Sequence, residues 1–342
     1  MTKAPMLRPA HLVGSIPCAS ADAVMRLAAG KLGSLLRRLP DGETGDRADW
    51  IQYLIHVVAK HPFMERVVDT SGGLGRARHY HRPKPGVDPS SIEFPPLGYA
   101  ANARESWQTF RALREQGIIP PETRFLVAIP TPTAFMMIYI DPAHRLALEP
   151  AFFRRMRAEI DELTATIPAD DLAIQWDAVF EFLVMEGART VFPGETAASM
   201  VERMRAAANL VPGRVETGFH FCYGDFQHRH SVEPRDMEIM VTTWNDLRRA
   251  PGRRIDYVHM PVPRGRDDSA YFAPLRDLKL DGEEVYLGLV HFTDGIDGGR
   301  KRIAAASRFL PEFGIATECG FGRRPPETIA QLLDLHLELA RI

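Results

Sequence analysis

The sequence predicts an α/β protein built as a single (βα)8 (TIM) barrel. Three observations carry that expectation. Short β-branched runs alternate with helix-length amphipathic stretches, eight strand–helix units can be counted, and the chemically distinctive residues fall at strand ends. The strands are expected at residues 11–15, 36–40, 125–129, 172–177, 215–222, 255–261, 285–292 and 314–319, and eight is the number that closes a barrel. A chain of 342 residues exceeds an average domain, but α/β barrels of this length fold as one unit, so residues 1–342 read as one domain. An open doubly wound sheet is the competing architecture.

The elements follow in order. His11–Ser15 (HLVGS) reads as the first strand, followed by a helix capped at Ser20. Leu36–Pro40 leads through Asp41-Gly42-Glu43 to a helix around Trp50–Ala59. Residues 63–100 are rich in Pro, Gly, His and Arg and lack an apolar period, so they read as a long excursion after the second unit, of the kind that forms a lid. A helix at Arg104–Glu115 precedes the buried strand Phe125–Ile129 (FLVAI). Pro150 is read as opening the next helix, in which Phe153, Met156, Ile160, Leu163 and Ile167 recur at helical spacing. Beyond the strand Leu172–Asp177 (LAIQWD), helices are expected at Thr196–Leu210, Pro234–Arg249, Ser269–Leu278 and Gly299–Leu310, each between two strands. A last helix, opened by Pro325 and Pro326, aligns Ile329, Leu332, Leu333, Leu337 and Ala340 on one face.

Composition narrows the function classes. The chain is 45% apolar and 25% charged, the balance of an ordinary globular protein. A net charge of −2 gives no basic face for nucleic acid. The start, Met1–Ala10, lacks the apolar core of a signal peptide, and the most apolar stretch, Phe125–Ile140, is interrupted by Pro130 and Pro132, so no membrane partner is expected. Cys18, Cys222 and Cys319 are too few and too scattered for a disulfide framework. A cytoplasmic location is the expectation, where thiols remain available as ligands.

The strand ends hold the candidate chemistry. The fifth strand ends in Phe219-His220-Phe221-Cys222 and the eighth in Thr317-Glu318-Cys319-Gly320. Side chains alternate along a strand, so His220 and Cys222 share a face. An imidazole and two thiolates suit Zn²⁺, and three protein ligands leave a fourth position open, as catalytic sites require. Spacing alone equally admits two buried cysteines and a core histidine. Cys18, in Ile16-Pro17-Cys18, reads as structural, and Asp41, Glu43 and Asp46 also admit a reading as a turn and helix N-cap cluster. His291, ending the seventh strand, is either a general acid–base or a histidine with no proton to move. The basic run Arg76–Lys84 reads as a solvated loop, and His228 and His230 as surface residues.

His220-Phe221-Cys222-Tyr223-Gly224-Asp225-Phe226 resembles the zinc-binding His-x-Cys-Tyr segment of the C-terminal barrel of cobalamin-independent methionine synthase, within the wider uroporphyrinogen decarboxylase/methionine synthase-like superfamily. The likeness recurs in the family's order. Val13-Gly14-Ser15-Ile16-Pro17 is similar to the opening Gly-Ser-(Phe/Ile)-Pro, Ile174-Gln175-Trp176-Asp177 to the Ile-Gln-(Ile/Leu)-Asp of strand four, and Glu318-Cys319-Gly320 to the Asp-Cys-Gly carrying the last zinc cysteine. The resemblance implies His220, Cys222 and Cys319 as zinc ligands, Ser15 on the backbone of an amino-acid thiol, and Glu43 and Asp177 on its ammonium. It departs where the family's glutamate ligand would fall at Pro261. His259, two residues earlier on the same face, would replace that ligand or touch the substrate. Coenzyme M methyltransferases also resemble the chain in pairing a His-x-Cys with a distant Cys.

The implied activity is zinc-dependent methyl transfer to a homocysteine-like thiol, made nucleophilic as its thiolate. The partners would be a small-molecule thiol and a methyl or alkyl donor, such as a folate or a methylated carrier protein. Alkylation of a thiol by an epoxide-type electrophile, or its reverse lyase reaction, is the alternative enzymatic reading. A catalytically silent metal-binding barrel is the non-enzymatic one. The folate contacts of the full-length synthase are not implied, because its N-terminal half has no counterpart here.

Overall fold

The structure is a computed structural model that describes residues 7–69, 78–224, 230–248 and 252–342. Among these, the strands are β1 (Arg38–Pro40), β2 (Met64–Asp69), β3 (Arg78–Pro83), β4 (Arg124–Pro130), β5 (Leu172–Ala178), β6 (Glu216–Phe221), β7 (Tyr257–Pro261), β8 (Glu284–Val290) and β9 (Gly314–Thr317). The α-helices are α1 (Ala21–Leu32), α2 (Ile55–Ala59), α3 (Tyr99–Glu115), α4 (Pro132–Tyr139), α5 (Arg145–Thr166), α6 (Phe180–Met185), α7 (Ala197–Ala208), α8 (Glu238–Leu247), α9 (Ser269–Phe272), α10 (Gly295–Ala306) and α11 (Ile329–Leu339). β1 and β4 to β9 form a curled seven-stranded sheet in chain order, with every pairing parallel. β5 is buried along its whole length, as a parallel strand covered on both faces must be.

The eighth strand is a correction. Residues 11–15 do not form one; only Ala10 bridges in parallel, to Leu36 at one edge of the sheet and to Ile315 at the other. Pro9 has no N–H to donate and serves the ladder through its carbonyl, which accepts from Ile315 N at 2.9 Å, while His11 N donates to Ile315 O at 2.9 Å. The backbone then leaves the sheet for other partners: Ile16 N donates to Gly42 O at 2.8 Å and Ser15 O accepts from Phe321 N at 2.7 Å. Those residues are thereby carried to the cavity described below rather than into a strand.

Several helix starts also shift: α3 begins at Tyr99 rather than Arg104 and α8 at Glu238 rather than Pro234. α5 begins at Arg145, not at Pro150, because Asp141 caps a preceding 3-10 turn, accepting from Ala143 N at 2.9 Å, and the helix runs on through the proline. α10 begins at Gly295 rather than Gly299. The excursion is not structureless: β2 and β3 pair antiparallel from Met64↔Pro83 to Asp69↔Arg78, so the Arg78–Pro83 part of the basic run is a strand, while Arg76 and Ala77 lie outside the described residues. His81 bridges to Ile140 after α4, which ties the hairpin to the body of the fold.

α1 begins at Ser20, whose hydroxyl accepts from Ala23 N at 3.3 Å. α7 begins with a capping box between Thr196 and Ser199. The amino-terminal end of the sheet interior is closed by Arg38, whose guanidinium stacks 3.8 Å from the Tyr257 ring centre. It ion-pairs with Glu216 and, at 2.9 Å, with Glu284. Gly218 makes room for this plug: a Cβ there would lie 2.5 Å from the Tyr257 ring. Among the described residues, no helix is long and apolar enough to cross a membrane.

Candidate metal centre and substrate cavity

The carboxyl ends of the parallel strands open onto a cavity of about 340 Å³, lined in part by Ser15, Glu43, Asp177, His220, Cys222 and Cys319. Six residues from five parts of the chain are thus brought to one space. No described residue of 63–100 lines it. Sheet register explains the polar row: Asp177 pairs with His220, and His220 with His259, across β5, β6 and β7. In-register residues of a parallel sheet point to the same face.

Each of His220, Cys222 and Cys319 offers a ligand atom within 4.8 Å of the others. The two sulfur atoms are 3.9 Å apart, close to the roughly 3.8 Å that two Zn–S bonds of about 2.3 Å subtend at a tetrahedral angle. His220 Nε2 is buried without a hydrogen-bond partner, an orphan that a metal ion satisfies. Burial, then the neighbouring His259, His11 and His230, holds this imidazole well below the usual histidine range, in the neutral form that ligates. Gly224 N donates to Cys222 Sγ at 3.3 Å. The residues present fit a zinc ion.

The same cavity is lined by two acidic side chains, Glu43 and Asp177, and by Arg189 and Arg323. Glu43 accepts from Ser15 Oγ. Asp177 accepts from Gln175 Nε2 at 3.0 Å and Trp50 Nε1 at 3.3 Å. Burial, then the charge of Asp177, pushes Glu43 up to about 8, against the hydrogen bond from Ser15. Burial likewise raises Asp177 to about 7, against its two donors. Such a pair is relieved by a cation between its members. Asp41, by contrast, is spent on structure: it accepts from Glu43 N at 2.9 Å and Ser106 Oγ at 2.7 Å, and pairs with Arg47 at 2.7 Å.

The other histidines are placed as follows. His259 is fully buried behind His220, with the two Nδ1 atoms 2.6 Å apart, and it is not among the cavity-lining residues. His291 is also fully buried and off the cavity; its Nε2 faces Val262 O at 2.9 Å and its Nδ1 faces Glu318 Oε2 at 3.1 Å. Burial opposes ionisation of Glu318, but the hydrogen bond and charge of His291 outweigh it and hold the carboxyl at about 2. The His230 side chain is 5% exposed, a correction to its reading as a surface residue: it packs near Tyr223, ring centres 5.9 Å apart, and faces Glu233 at 3.4 Å. His228 lies outside the described residues. Cys18 packs against the main core, and Asp46 is exposed in a turn.

Sequence reasoning missed Trp50, which both lines the cavity and holds Asp177. Among the described residues, the non-glycine residues with positive φ are Glu43 at 50° and Trp50 at 47°, and both line the cavity. Left-handed backbone at a bulky residue is costly and persists where the surroundings impose it, often at functional sites. No pattern in the sequence announces it. The apolar wall of Ile138, Val179, Phe180 and Leu183 was also invisible, because apolar residues there look like any core.

No protein-family model matches the chain, and no curated protein matches it. Among solved structures it is similar to a B12-independent methionine synthase from Shewanella sp. W3-18-1, solved in complex with selenomethionine. The TM-score is 0.61 at 15% identity, over 98% of this chain and 97% of that one. It is also similar to a putative vitamin-B12 independent methionine synthase from Listeria monocytogenes, with a TM-score of 0.56 at 14% identity, over 94% of this chain and 86% of that one. At such identities the likeness establishes a shared fold along nearly the whole chain.

Proposed function

We propose that the protein is a zinc-dependent methyltransferase that alkylates the sulfur of a homocysteine-like amino-acid thiol. The observation that carries this is the convergence of two chemistries on one cavity: the His220, Cys222, Cys319 group and the Ser15, Glu43, Asp177 group line the same space. Sharing a fold with B12-independent methionine synthases supports the reading, as does the order of the motifs. The finer architecture proposed is a barrel completed by the backbone near Ala10 in place of an eighth strand.

His220, Cys222 and Cys319 would hold the ion. Zinc there would supply the Lewis acidity that keeps a bound thiol deprotonated at neutral pH. Glu43 and Asp177 would receive the substrate ammonium, and each would then ionise at lower pH as the cation relieves its burial. Ser15, close to Gly14 and Gly320, would sit by the substrate backbone. Trp50 and Gln175 hold the Asp177 carboxylate in place, so the substrate is oriented by groups that are themselves fixed. The apolar wall of Ile138, Val179, Phe180 and Leu183 would help to exclude water from the reacting groups.

The test has two stages. Metal analysis of purified protein should find one zinc per chain, and calorimetry should then follow homocysteine against 4-mercaptobutanoate, which lacks the ammonium. The amino-acid thiol should bind at least tenfold tighter and release a proton. Equal binding of the two would move the acceptor away from amino acids and favour the epoxide-type alkylation. A protein that holds zinc but binds neither thiol would be the silent metal-binding barrel.

A further inference from the structure

We infer that His259 is the positioning residue for the metal-facing imidazole of His220: it accepts the His220 Nδ1–H and so fixes the tautomer and ring plane that leave Nε2 free for the ion. This rests on the zinc reading above. Two neutral imidazoles with nitrogens 2.6 Å apart must be complementary, one donating and one accepting. Two lone pairs, or two N–H groups, at that distance would repel. His220 Nδ1 is occupied by this contact, so its ligand atom is Nε2, the buried atom without another partner. A ligating nitrogen needs its lone pair, so the ring's proton must be on Nδ1 and His220 must be the donor.

His259 is well held for the role. It sits on β7, in register with His220 on β6, so the two rings are fixed by neighbouring strands rather than loops. Their centres lie 4.8 Å apart at 34°. The His259 ring also lies near His11, ring centres 5.9 Å apart, and His11 Nε2 is in turn held by Gln175 Oε1 at 2.8 Å. It does not join the residues whose ligand atoms cluster at metal distance. The imidazole at this position thus acts on the ion through His220, where the resembling family would have a ligand nearby.

The experiment uses the full chain, stripped of metal and reloaded with zinc in competition with a chromogenic chelator. Loss of an orienting partner typically weakens a metal site about 10–100-fold, and H259A should fall by that factor. H259N, whose side-chain oxygen sits near the lost Nδ1 and can accept, should stay within a few-fold of wild type. Zinc-edge X-ray absorption of the wild type should require one imidazole beside two protein sulfurs. Wild-type affinity in H259A, or a loss in H259N as large as in H259A, would overturn the inference, and so would two imidazoles at the metal. If H259A fails to fold, H259N and the wild-type spectrum still decide. A wild type that binds no zinc would instead defeat the parent reading.

Discussion

Replacing Glu43 with glutamine should make the metal-free, ligand-free protein more stable, and increasingly so as pH rises. The carboxyl has an ordinary value of 4.5 in the unfolded chain and about 8 in the fold. The folded state therefore keeps its proton longer. Its stability contribution is full below pH 4.5 and is lost as pH climbs through the window to about 8, above which the loss is constant. At 1.36 kcal/mol per pH unit that window is worth at most about 4.8 kcal/mol. Part of the rise comes from Asp177, which titrates in the same range, so a relative gain of about 2–4 kcal/mol for E43Q is expected. Urea midpoints of both proteins at pH 5, 7 and 9 measure it. The gap should widen between pH 5 and about 8 and then level off. A gap independent of pH would refute the reasoning, because Glu43 would then be ionised in the fold at all these values.

The remaining predictions concern the ligands, the clamp and the frame. C222S and C319S should each lose zinc while keeping an unchanged far-ultraviolet spectrum, since the sheet core does not include the ion; full zinc occupancy in both would remove the metal assignment. D177N should retain zinc but bind an amino-acid thiol about 1.5–3 kcal/mol more weakly by calorimetry, the worth of a charge-assisted bond. W50F should lose about 1 kcal/mol of the same affinity by freeing one side of Asp177. R38A should destabilise the protein by about 1–3 kcal/mol in denaturant, because Glu216 and Glu284 lose their buried partner while Arg124 and Arg37 still pair with them. Zinc content should be unaffected there, and a loss of zinc would show that the plug and the site are coupled.

Much of the site was legible in the residue order. His220 and Cys222 are two apart on a strand, so a local rule puts them on one face, and β6 delivers both to the cavity. The alternation of apolar runs located the seven strands of the parallel sheet, because that pattern is the direct consequence of burying both faces. The β2–β3 hairpin escaped notice, since its buried residues, Met64, Tyr80, His81 and Pro83, are partly polar and do not alternate strictly, so no apolar period marks the strands.

What the sequence determined by itself was the local chemistry: which residue types occur, on which face of which element, and in what order. Only the tertiary structure decided their company. It set Cys319 3.9 Å from a cysteine 97 residues away and put Glu43 and Asp177 in one cavity. It also set the His259 Nδ1 2.6 Å from that of His220. It denied residues 11–15 their strand, because a backbone bridging both edges at Ala10 had loop partners waiting at Gly42 and Phe321. The physical reason is the same in each case. Face and period follow from covalent geometry within a few residues, whereas register, burial and hydrogen-bond competition depend on groups that are distant along the chain.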